Sequence, residues 1–271
     1  MKVKKYLPSL ITLANLFLGF LSILYIQKGN YGLACHLILI AALLDSFDGK
    51  LARKIGVVSS FGKEIDSLAD VVSFCLSPSF LVFNILYNSS LIQNDTEIFF
   101  IYIALISSFP VLMGAIRLAR FNVEHDDEES KNYYVGLPSP MSAISICSII
   151  LLKLNLLNQL YDIDSNELIF LTFNIILPII ILLSFLMISK INFSKFPLFS
   201  FSIGKKNSIR LILMILSIIL MVISSLINYL YVTLFLFSGY YILSNISLHF
   251  INNSIKLNKL REKLKNKRRG L

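Results

Sequence analysis

Apolar residues run along this chain in uninterrupted blocks of about twenty, and the charged residues collect in the short stretches between them. A membrane-barrel strand would alternate apolar and polar positions over about ten residues, so blocks of this length predict helices. Crossing a hydrocarbon core of about 30 Å takes roughly 20 mostly apolar helical residues. Windows of that size give eight spans: Leu10 to Gln27, Tyr31 to Arg53, Ile65 to Tyr87, Ile98 to Phe121, Pro138 to Leu157, Leu168 to Ile188, Ser208 to Tyr231 and Thr233 to Phe250. The expected fold is an all-α polytopic membrane helix bundle.

Composition agrees with lipid as the solvent. The 56% hydrophobic residues and mean hydropathy of +0.74 exceed what one soluble core of 271 residues buries. Met1 to Lys5 ahead of an apolar run has the form of a secretory leader. The run continues to Gln27 without a small-x-small cleavage site, however, and reads as a retained first span.

Positive residues in short loops stay on the cytoplasmic side. With both termini inside, every Lys and Arg of the 25 except Lys28 and Lys153 lies on that face. The net charge of +9 thus has a topological cause and does not call for nucleic acid, while the tail KLNKLREKLKNKRRG also suits anionic headgroups. Cys35, Cys75 and Cys147 form no C-x-x-C spacing and fall inside spans, which gives no disulfide or zinc site. His36, His125 and His249 are isolated and predict packed or interfacial roles. The acidic run from His125 to Tyr134 predicts a solvated loop, with gating of an entrance as the alternative.

One segment departs from the apolar pattern. Between Leu43 and Ser73, four aspartates stand at the ends of two otherwise apolar helices, where charge is expensive and usually functional. Asp45 and Asp48 are spaced i, i+3 and Asp66 and Asp70 are spaced i, i+4, so each pair shares a helix face. The turn between them, with Gly56, Ser59 and Ser60, makes the helices antiparallel neighbours, and the two pairs can converge. Converging anions in a low dielectric repel unless cations bridge them, and all-oxygen ligands suit magnesium, manganese or calcium better than zinc. Gly49, Ala52 and Gly62 leave room for a phosphate-bearing ligand, and the Arg53 fork can pair with its phosphate. As carboxylates alone, the four also fit helix caps or the cation path of a transporter.

The spacing narrows these readings. Asp45, Asp48, Gly49, Ala52, Arg53, Gly62, Asp66 and Asp70 stand at the intervals D-x2-D-G-x2-A-R-x8-G-x3-D-x3-D. This resembles, without a departure, the signature of the CDP-alcohol phosphotransferase family. Three further segments resemble the family's integral membrane phosphatidylserine synthases: PSLITLANLFLGF with Thr12 and Asn15, FGKEIDSLADVVSFCLSP with Lys63 and Ser67, and IRLARFNVE followed by VGLPSP, with Arg117, Arg120, Asn122 and Ser139.

That resemblance implies a core of six transmembrane helices at residues 1–190, to which this chain adds two helices at 191–252 and a basic cytoplasmic tail at 253–271. It implies two divalent ions, magnesium or manganese, on Asp45, Asp48, Asp66 and Asp70, with Asp70 also the general base. The CDP-lipid, CDP-diacylglycerol or CDP-archaeol, would meet Thr12, Asn15, Gly49, Ala52, Arg53, Gly62, Lys63 and Ser67. L-serine would meet Arg117 and Arg120. Glycerol 3-phosphate or an inositol phosphate is the alternative acceptor, and a membrane cation transporter the alternative from another class. A homodimer in the cell membrane, with its site facing the cytoplasm and membrane lipids as further partners, completes the expectation.

Overall fold

In lipid, every backbone polar group must find its partner within the chain, and helices do this segment by segment. The computed structural model describes residues 3–55, 60–88, 97–123, 133–159, 172–194, 212, 215–216, 219–221, 223–224 and 229–269. Helices α1 (Val3–Gln27) and α2 (Tyr31–Ile55) form an antiparallel pair. Gly29, at φ +75°, ends α1 with its N–H on Ile26 O and that of Asn30 on Tyr25 O. Asn30 then caps α2, its Oδ1 accepting from Leu33 N at 3.2 Å.

Next come α3 (Ser60–Asp70), a wide π turn over Val71–Leu76 and α4 (Ser77–Tyr87), which together make one apolar stretch from Ser60 to Tyr87. Pro78 sits in the first turn of α4, where its ring would clash with a carbonyl four residues back; the widened turn before it accommodates the missing N–H. The same device recurs where a π turn at Thr172–Ile176 precedes Pro178 in α8 (Leu177–Ile188). Between these lie α5 (Glu97–Ser107), α6 (Phe109–Val123), strand β1 (Tyr133–Val135) and α7 (Ser139–Gln159). Strand β2 (Asn192–Ser194) and α9 (Leu230–Arg269) follow. The two strands pair antiparallel, Tyr134 opposite Phe193, a short ladder added to the expected bundle.

Among the described residues, five helices are long and apolar enough to cross a membrane: Pro8–Gln27, Tyr31–Gly49, Ser60–Tyr87, Glu97–Val123 and Leu230–Ile251. Two more of the eight expected spans appear as apolar helical stretches, Ser139–Gln159 and, beginning at the edge of the described residues, Thr172–Ile188. The expected span from Ser208 to Tyr231 lies in about half of its length outside the described residues. Helix α9 continues beyond its apolar part, Leu230–Ile251, through the basic run to Arg269.

The surface is inverted relative to a water-soluble protein. Leu10, Phe17, Leu43, Phe47 and Leu68 point outward, while Ser22, Ser73, Ser77, Ser139 and Ser148 are fully buried. Small residues let the helices approach closely. A Cβ on Gly19 of α1 would strike Ser73 Oγ in the π turn, and one on Gly114 of α6 would strike Cys75 Sγ. Ser22 and Ser77 hydrogen-bond across the same α1 seam, and Ser73 Oγ donates to Asn15 O at 3.0 Å. The π turn that follows Asp70 is therefore clamped from both sides. Gly19→Leu is expected to force α1 off this turn and cost roughly 1–3 kcal/mol; a thermal unfolding midpoint in detergent equal to that of the parent protein would contradict this packing.

Candidate active site

The last turns of α2 and the length of α3 bring the aspartates together as their spacing predicts. One carboxylate oxygen each from Asp45, Asp48 and Asp66 lies within 4.8 Å of the others. Asp70, one turn beyond Asp66, stands outside that set of three but interacts with both Asp45 and Asp66. Asp70 thus adjoins the cluster of three through Asp45 and Asp66.

Polar side chains from α1 meet the cluster. Thr12 Oγ1 donates to Asp48 Oδ2 at 2.8 Å, with the Pro8 carbonyl as its alternative acceptor at 3.1 Å. Asn15, close to one turn further along the same helix, is fully buried, and neither its side-chain oxygen nor its nitrogen has a partner. Such an orphaned amide is costly in a protein interior. Asp66 Oδ1 and Asp70 Oδ1 are likewise buried without a hydrogen-bond partner. Anionic oxygens left open beside a carboxylate cluster fit a hard divalent cation, whose ligands are oxygens, and do not suit zinc.

On the α6 side the two arginines separate in role. Arg117 is buried, donates from Nη1 to Ser139 Oγ at 3.0 Å, and lies in electrostatic contact with Asp70. Its Nε has no partner. Ser139 Oγ in turn donates to Asp70 Oδ2 at 3.5 Å, so this hydroxyl links the guanidinium to the carboxylate. Arg120 instead donates to two main-chain carbonyls, Ile188 O at 3.1 Å and Val135 O at 3.0 Å.

Asn122 ties α6 to α3, its Nδ2 donating to Ser67 Oγ at 3.0 Å and its carbonyl accepting from Lys63 Nζ at 3.4 Å. Gly49 lies exposed at the end of the α2 span, and Gly62 is half-buried on α3. Ala52 and Arg53 belong to the last turns of α2, and their side chains lie outside the described ones.

Sequence reasoning gave no role to Ser139 or Ser142. Both are buried in the first turn of α7, spaced i, i+3 on one face, and Ser142 Oγ has no partner. The available signal was the Pro138-Ser139-Pro140 run, which starts a helix with hydroxyls where backbone N–H groups are still open.

With this geometry in hand, comparison with known proteins is specific. Residues 5–186 match the model of the CDP-alcohol phosphatidyltransferase family. A protein of Helicobacter pylori named CDP-diacylglycerol–serine O-phosphatidyltransferase is 34% identical over 190 residues, covering 70% of this chain and 72% of that protein. One of the same name from Bacillus subtilis is 35% identical over 147 residues, 54% of this chain and 75% of that protein. An archaetidylserine synthase of Methanothermobacter thermautotrophicus is 40% identical over 145 residues, 52% of this chain and 56% of its own length.

The Thr12 contact with Asp48 yields a direct test. Thr12→Val keeps the shape and removes the hydroxyl, and loss of a partner that orients a metal-binding carboxylate typically costs about 10–100-fold in affinity. Manganese binding followed by electron paramagnetic resonance should weaken by that factor; unchanged binding would separate Asp48 from the cation.

Proposed function

Because the chain belongs to the CDP-alcohol phosphatidyltransferase family, we propose that it transfers the phosphatidyl group of a CDP-activated lipid to the hydroxyl of L-serine and releases CMP. The observation that carries this reading is the Asp70–Ser139–Arg117 corner beside the three clustered aspartates. It sets a carboxylate with an open oxygen next to a buried guanidinium with an open N–H. An amino-acid acceptor has a hydroxyl for the first and a carboxylate for the second.

Asp45, Asp48, Asp66 and Asp70 would hold two divalent cations, magnesium or manganese, which would supply positive charge for the donor diphosphate and the departing CMP. Thr12 fixes Asp48 for that task. Asn15, Gly49, Ala52, Arg53, Gly62, Lys63 and Ser67 join Thr12 in binding the CDP-lipid, and the orphaned Asn15 amide supports a polar ligand against α1. The donor is CDP-diacylglycerol or CDP-archaeol, in keeping with relatives named for either product class.

Serine's hydroxyl oxygen attacks the lipid-linked phosphorus, a new P–O bond forms, and the bond to CMP breaks. Asp70 takes the hydroxyl proton, through Oδ1, while Ser139 orients the carboxylate from Oδ2. Arg117 and Ser142 receive the serine carboxylate, the guanidinium through its unoccupied Nε–H. Arg120 shapes this wall through the main chain it holds. The asymmetry of Lys and Arg supports a cytoplasmic placement of both termini and the site, and the family resemblance supports a homodimer in the cell membrane.

Purified protein in detergent, given CDP-diacylglycerol, magnesium or manganese and L-serine, should release CMP in a serine-dependent manner that chelation of the metal abolishes. Asp70→Asn should lower the rate by about 10²–10⁴-fold, the usual contribution of a positioned base. CMP release that depends on glycerol 3-phosphate or an inositol phosphate and ignores serine would overturn the acceptor assignment and leave the family intact.

A further inference from the structure

Helix α9 lies beyond residues 5–186, the part of the chain that matches the family. Three of its polar side chains nevertheless recur at i, i+4 and i+8 and complete the small sheet. Tyr241 Oη donates to Ser194 O at 3.0 Å, Asn245 Oδ1 accepts from Ser194 N at 2.8 Å, and His249 Nδ1 accepts from Asn192 N at 3.2 Å. The Tyr241 ring stacks on the fully buried Phe193, centroids 6.0 Å apart. Asn245 is itself 4% exposed, and its Nδ2 donates to Tyr241 O at 2.7 Å, which fixes the amide's orientation. In a two-stranded ladder the outer edge of each strand is left with open N–H and C=O groups. Here α9 side chains satisfy that edge of β2.

The opposite edge of β2 leads to the site. It pairs with β1, and Gly136 N donates to Ile191 O at 2.9 Å immediately after the ladder. Gly136 sits at φ +80°, and a Cβ there would strike Met187 O, so only glycine lets this strand pass. Leu137 N donates to Leu186 O at 2.9 Å, and Ser139 follows two residues later in the corner with Arg117 and Asp70. Tyr241 also lies within electrostatic reach of Tyr134 and Arg117.

We infer that α9 positions the acceptor side of the active site: Tyr241, Asn245 and His249 hold β2, β2 holds β1, and β1 sets where Ser139 meets Arg117 and Asp70. These are positioning residues; none touches the reacting atoms. The added C-terminal helix thereby acts on acceptor binding and leaves the aspartate cluster, held by α1 to α3, untouched. The assignment of that corner to serine rests on the function proposed above.

The test uses the full chain in detergent with three variants: Asn245→Ala, Tyr241→Phe and, as a control on the outward face of α9, Leu243→Ala. Amide hydrogen exchange in Asn245→Ala should accelerate roughly three- to tenfold at both 192–194 and 133–137, the size expected for one lost hydrogen bond, with α1 to α3 unchanged. The KM for serine should rise by a similar factor while kcat and the KM for the CDP-lipid stay within about twofold, Tyr241→Phe should move the same way to a smaller extent, and Leu243→Ala should do neither. Exchange that rises only at 192–194, or equal losses in kcat and both KM values, would overturn the inference. Parent protein that ignores serine would overturn the acceptor assignment instead, and the exchange pattern at 133–137 then decides the role of α9 by itself.

Discussion

Carboxylates gathered below the surface of a lipid-embedded bundle repel one another with little water to screen them. Two unit charges 4.8 Å apart repel by about 3.5 kcal/mol even at an effective dielectric of about 20. The bundle must supply that energy through packing elsewhere and recover it when cationic ligands arrive. Much of the architecture follows from this requirement. Small residues at Gly19, Ser22 and Gly114 bring α1 and α6 against the π turn beyond Asp70, and the turn cannot relax outward without opening both seams. Thr12 and Ser139 each give one hydrogen bond to a carboxylate, and Arg117 gives the one buried positive charge described beside Asp70.

The two halves of the site are built by different means. The aspartate cluster rests on α2 and α3 with α1 packed across them, all contacts between long helices. The opposite wall is assembled from main chain: the β1–β2 ladder, the Gly136 passage and the carbonyls held by Arg120. Helices fix side chains by their own periodicity, whereas an irregular segment at such a wall needs its backbone groups satisfied from outside. Arg120 and the polar face of α9 do this, and α9 thereby reaches the signature residues through hydrogen bonds to β2, the β1–β2 ladder and the main chain from Val135 to Ser139.

Much of this was legible in the sequence because the chemistry is local. The i, i+3 and i, i+4 spacing of the aspartates sets which helix face they share, and a short turn between two apolar helices forces those faces together. The block pattern likewise located Pro8–Gln27, Ser60–Tyr87, Glu97–Val123 and Leu230–Ile251 to within a few residues. The helix Ser139–Gln159 also follows the expected Pro138 to Leu157 closely, and the stretch Thr172–Ile188 ends where the span expected from Leu168 does, residues 168–171 lying outside the described ones.

What the sequence by itself determined is therefore what depends on near neighbours: lipid as solvent, helix as the spanning unit, four acidic residues on two adjoining faces, and the family signature they compose. Tertiary structure alone decided the relations between distant residues. It joined Asp70 to Ser139, sent Arg117 to Ser139 and Arg120 to the backbone although they stand three residues apart, and joined Asn245 to Ser194 across 51 positions. A side chain's partner across that separation depends on how whole helices cross and on which backbone groups remain open once they have packed, and no local periodicity encodes either.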